Sequence, residues 1–144
     1  MTVPNRITLV TLGVADLDRA TAFYEALGWT RSAQSSPGIV TFFSTVGPVL
    51  SLYGIDELAA DAHTTAGRTG FAGVTIAINL ESPGEVDAVN AAWLEAGGTS
   101  LAAPTAAPWG GYIAYVADVD GHVWELAHNP YWPLRSDGTL ALPD

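Results

Sequence analysis

The residues best equipped for chemistry in this chain fall in one stretch, residues 110–130 (GGYIAYVADVDGHVWELAHNP), where Glu125, His122 and His128 stand among aromatic side chains. Asp118-Val119-Asp120-Gly121 separates two apolar runs, 112–117 and 122–128, and Asp-Gly between β-prone runs predicts a strand, a tight turn and a second strand. Alternation along the second strand puts His122, Trp124, Leu126 and His128 on one face and Val123, Glu125 and Ala127 on the other, so Glu125 stands apart from both histidines. A carboxylate on a half-buried strand either transfers protons or is held structurally by an arginine or backbone donors. His122 and His128 read as a turn histidine and a strand-end histidine; His63 acquires a role only if its own segment closes over a pocket. Asp118-x-Asp120-Gly121 lacks the third oxygen donor and the terminal bidentate acid of a calcium loop, and reads as a turn.

The composition narrows the chemistry further. There is no cysteine, which excludes disulfides, thiolate nucleophiles and sulfur-ligated zinc. Fifteen acids face five basic residues, for a formal charge of -10, so the chain has no basic surface with which to displace counterions from nucleic acid. Such a charge keeps a protein soluble and favours cationic over anionic ligands. With 144 residues and 49% hydrophobic content, a single domain with a full core is expected. No apolar run is long enough to span a bilayer and residues 1–6 lack the pattern of a signal peptide, so a cytoplasmic location is expected, with no membrane partner.

Two copies of one unit position these residues. Residues 6–14 alternate as a strand; Asp16 caps a helix over 19–27 that Gly28 ends; 29–33, 39–44 and 49–53 then read as three strands. Residues 55–72, polar and rich in small side chains, read as a linker or mobile loop. The pattern restarts with a strand over 74–80 and a helix that Ser82 caps, with Pro83 at its first position and Glu85 completing a capping box; Gly97-Gly98 closes it. A strand over 99–103, a connection over 104–108 and the hairpin complete the second copy. The expected fold is α+β: two βαβββ modules, about 6–54 and 73–130, pairing into a cupped mixed sheet with helices on its outer face, followed by a tail over 131–144. A cup of this kind offers a small-molecule pocket on its inner surface.

The combination Asp16-Leu17-Asp18-Arg19 after a strand, Phe23-Tyr24 before Leu27-Gly28-Trp29, and Asp118-x-Asp120-Gly121-His122-x-Trp124-Glu125 resembles the vicinal oxygen chelate superfamily, which includes glyoxalase I, extradiol dioxygenases and bleomycin-resistance proteins. The resemblance spans nearly the whole chain. Many members hold a divalent metal on four strands; the matching positions here fall on Leu9, Ser51, Thr75 and Glu125, of which only Glu125 is an ionisable ligand. No cofactor is therefore expected, and a divalent metal is disfavoured. The resemblance to the bleomycin-resistance branch implies a homodimer that sequesters a small molecule, such as an antibiotic or metabolite, cationic or aromatic in character. The alternative it leaves open is a glyoxalase-like lyase or isomerase, or a dioxygenase-related enzyme, using Glu125 as acid, base or metal ligand. The residues expected around the ligand are Thr11, Ser51, Thr75 and Asn79 as hydrogen-bonding groups, with Tyr53, Trp109, Tyr112 and Tyr115 as aromatic walls.

Overall fold

A computed structural model describes residues 2–67 and 69–144. Strand β1 (Leu9–Val14) leads into helix α1 (Leu17–Ala26), where Asp16 holds an extended backbone and its carboxylate accepts from the Arg19 N–H. Gly28 ends that helix at φ 91°, with its N–H on the Glu25 carbonyl, a backbone setting that disfavours a side chain. Strands β2 (Val40–Phe43) and β3 (Val49–Gly54) close a three-stranded sheet ordered β1-β3-β2. The strand expected over 29–33 is reduced to a single bridge, Arg31 to Phe43, so the first module has one strand fewer than expected.

The second module comprises β4 (Thr75–Asn79), α3 (Pro83–Glu95), β5 (Thr99–Ala106), β6 (Tyr112–Ala117) and β7 (Val123–His128), in a sheet ordered β4-β7-β6-β5. In both sheets the first strand of the module runs parallel to its last: Leu9 pairs with Val49 and Thr75 with Val123. Ser82 caps α3 as expected, while the Glu85 carboxylate reaches the N–H of Glu81, one residue before the cap. β5 continues to Ala106, through Pro104 and into the expected connection, with register shifts against β6.

The segment expected as a linker contains helix α2 (Ile55–Asp61). It lies against β1, where Gly13 leaves the room that Ile55 fills; a Cβ at Gly13 would collide with the Ile55 side chain.

One apolar core serves both modules. Leu12, Val14, Leu50 and Leu52 face α1 from one sheet; Ala114, Val116, Trp124 and Leu126 join them from the other, with Trp93 of α3 fully buried. Phe23 and Trp93 meet edge to face at 5.3 Å between ring centroids, tying helix to helix. At the centre, the Tyr24 hydroxyl donates to Asp118 Oδ2 at 2.6 Å and accepts from Trp124 Nε1 at 3.2 Å. Asp118 Oδ1 in turn accepts from the N–H groups of Asp120 and His122, so one buried carboxylate shapes the β6–β7 turn and anchors α1. Among the described residues, no helix is long and apolar enough to cross a membrane.

Tyr24→Phe removes a charge-assisted hydrogen bond and leaves a buried carboxylate oxygen without it, a loss of about 2 kcal/mol that lowers the thermal midpoint by about 6 °C. Burial, followed by the nearby Asp118 carboxylate, pushes the Tyr24 phenol far above its ordinary value. Because the folded-state value is the higher one, this contribution is fully present below the unfolded-state pKa of about 10 and is lost as pH rises through the folded-state value. In an alkaline titration, the last phenolate absorbance to appear should coincide with loss of the near-ultraviolet circular dichroism; ionisation of Tyr24 in the folded protein would contradict this arrangement.

Candidate functional site

On the sheet faces turned away from α1 and α3, a cleft of about 1690 Å³ opens between the modules. Thr11 and Gly13 of β1 form one wall, and Thr75, Val123, Tyr115 and Leu101, from the four strands of the second sheet, form the other. α2 contributes Ile55, Leu58 and Ala59, and Phe71 and Val74 stand at the mouth, both largely exposed. Its lining is mainly aliphatic, with threonine hydroxyls, Tyr115, Asp120 and His122 as polar groups.

The β6–β7 turn clasps the first module at one end of this cleft. Asp120 Oδ1 accepts from the Ala15 N–H at 2.9 Å, and His122 Nε2 lies 2.7 Å from the Gly13 carbonyl oxygen. Sequence alternation placed His122 with Trp124 on the outer face; it precedes β7 and belongs to the turn, so strand parity does not govern it, and it lines the cleft. His128 does follow the parity, with Nδ1 3.0 Å from the Leu80 carbonyl oxygen. His63 follows α2, at φ 53°.

Glu125 is half-buried on the cleft-side face of β7, and its Oε2 accepts from the Tyr115 hydroxyl at 2.7 Å across the β6–β7 pair. That hydrogen bond, and then burial, raises the Tyr115 phenol above its ordinary value. Tyr115 lines the cleft, whereas Glu125 is not part of its wall and meets it through that hydroxyl.

The expected ligand-contacting residues divide. Thr11, Thr75 and Tyr115 line the cleft together. Ser51 is buried in β3, outside the lining, and Asn79 opens onto a different cleft. Tyr53 is turned toward α2, where burial and then the Asp61 carboxylate raise its phenol. Tyr112 lies on the opposite, helix-side alternation, and its hydroxyl donates to Asp87 of α3 at 2.8 Å. Trp109 sits in the β5–β6 turn against Gly111, about half exposed. Of the contributors that the sequence reading missed, α2 carried no side-chain cap signal, whereas Asp120 and His122 were visible as polar residues of the turn.

The four positions matching the family's ligand sites, Leu9, Ser51, Thr75 and Glu125, all fall on the cleft-side alternation. One carboxylate, two neutral hydroxyls and an aliphatic chain do not fit a divalent ion, which needs several carboxylate or imidazole donors converging on it. Among the described residues, no three His, Asp or Glu side chains are grouped to hold a metal ion.

Residues 6–126 match the model of the Glyoxalase/Bleomycin resistance protein/Dioxygenase superfamily. A glyoxalase-related enzyme from Fulvimarina pelagi is 33% identical, with a TM-score of 0.87 over 98% of this chain and 100% of that one. A glyoxalase/bleomycin resistance protein/dioxygenase from Nocardioides is 25% identical, with a TM-score of 0.73 over 89% and 85% of the respective chains. A lactoylglutathione lyase from Agrobacterium tumefaciens, 24% identical with a TM-score of 0.68 over 92% and 100%, shares the fold. No curated protein matches the chain significantly. With the family model covering most of its length and paired modules around a cleft, the chain belongs to the Glyoxalase/Bleomycin resistance protein/Dioxygenase superfamily.

Proposed function

We propose that this protein binds a small organic molecule in the cleft between its modules without a resident metal ion, sequestering an antibiotic or metabolite. The observation that carries this reading is a large, mainly aliphatic cleft that only Thr75 of the four positions matching the family's ligand sites lines, with Leu9 and Ser51 at two of the others. Tyr115 provides a hydroxyl oriented by Glu125, and the threonines provide further hydrogen bonds. The net charge of -10 favours a cationic or aromatic amine ligand at long range.

A homodimer fits the exposed surface. The chain exposes 8995 Å², against about 7,000 Å² for a compact monomer of this mass. The excess, about 2,000 Å² per chain, is more than the roughly 800 Å² a standard interface buries on each partner and falls in the range of large obligate interfaces. Ile7 and Leu9, two residues apart on the first module, are exposed and apolar, as a contact with a second copy requires.

The enzymatic alternative rests on the Tyr115–Glu125 hydrogen bond, which could carry a proton between the cleft and the carboxylate, and on the 33% identity to a protein described as a glyoxalase-related enzyme. In that reading Glu125 acts through Tyr115 as a positioning residue.

Thermal-shift screening in the presence of a chelator should find stabilising ligands among cationic aromatic antibiotics, and hits confined to glutathione adducts of dicarbonyls would favour the enzyme. Tyr115→Phe is expected to weaken a hit about five-fold while leaving the fold intact. Metal analysis of untagged protein should return far less than one equivalent of nickel, zinc, manganese or iron per chain; a full equivalent would overturn the metal-free reading.

A further inference from the structure

A second cleft, of about 1040 Å³, meets the first at Val10 and Ile76 and runs away from it toward the C-terminal segment. Trp29 and Trp124 form its aromatic side, their rings 6.0 Å apart and inclined at 80°. Leu50 and Ile78 add aliphatic wall from the two sheets. The cover is supplied by residues 133–141, which fold back as a small hairpin. Leu134 bridges Leu140, the Arg135 N–H donates to the Thr139 carbonyl oxygen at 2.8 Å, and Arg135 Nη1 donates to the Leu140 carbonyl oxygen at 2.8 Å. This hairpin follows the second module in sequence yet rests on the first: a Cβ at Gly138 would touch Val46 at 3.7 Å.

We propose that this second cleft is a binding site for a neutral, ring-bearing apolar molecule. Among the described residues its lining contains no ionisable side chain, although the chain carries fifteen acids and the first cleft presents Asp120 and His122. A charged ligand would shed water there without a counter-charge, whereas an uncharged ring loses little hydration and gains the half-buried Trp29 indole, which the buried Trp124 backs. The Asn79 side chain, half-buried at the wall and hydrogen-bonded to no described residue, supplies one donor and one acceptor to orient a carbonyl or hydroxyl on that ring. The two clefts thus divide ligands by charge.

The uncharged fluorophore N-phenyl-1-naphthylamine, titrated into the full chain, tests this. Saturable enhancement is expected. Val46→Asp and Leu140→Asp, at exposed and half-buried positions of this cleft, should each weaken binding by at least about ten-fold with near-ultraviolet dichroism unchanged. Leu101→Asp, in the first cleft, should leave binding unaltered. Absence of saturable binding, or a loss caused equally or solely by Leu101→Asp, would overturn the proposal. So would dissociation of a dimer by Val46→Asp in sedimentation, which would give the groove to a second copy.

Discussion

The hydrogen bond from the Tyr24 hydroxyl to Asp118 is the constraint on which the molecule turns. Neither module buries its helix and sheet alone, and no backbone hydrogen bond among the described residues joins the facing edge strands β1 and β4. The modules are therefore held by side chains, and the most directional of these contacts lies at the centre of the aromatic cluster formed by Tyr24, Phe23, Trp93 and Trp124. A buried carboxylate is costly unless its oxygens are satisfied. Asp118 meets that requirement by accepting from Tyr24 and from two backbone groups of its own turn, and the same bonds fix the turn that carries Asp120 and His122 to the first module.

The site follows from that arrangement. Pairing through side chains leaves the seam between β1 and β4 open, so clefts form on either side of Val10 and Ile76 instead of a continuous sheet. Helix α2 and the segment after it then cover the larger cleft from the first module, while the C-terminal hairpin covers the smaller. With Leu9, Ser51 and Thr75 at the positions matching the family's ligand sites, Glu125 orients Tyr115, and the cleft offers shape, hydroxyls, the turn residues Asp120 and His122, and one phenol–carboxylate pair.

Much of this was legible in the sequence because it is written locally. Strict alternation gave β1 and β4, Asp16 and Ser82 marked helix starts by their cap bonds, and Asp-Gly marked the hairpin. Failures occurred where tertiary packing overrides local signals. α2 starts at Gly54 without a side-chain cap and is held by Ile55 seated over Gly13, a contact 42 positions apart that no window reveals. Tyr112 follows the helix-side parity of Ala114 and Val116, so its assignment to the pocket ignored the alternation that correctly placed Glu125. The residues 29–33 have strand-like composition but only one bridge to β2, and the first of them, Trp29, packs into the aromatic cluster against Tyr24 and Phe43.

Native mass spectrometry of the protein with a stabilising ligand tests the central claim most directly, because it weighs the whole complex. The account predicts a mass equal to chains plus ligand, one ligand in the larger cleft of each chain, with no metal ion. A ligand-bound species that appears only with an additional divalent ion would contradict it.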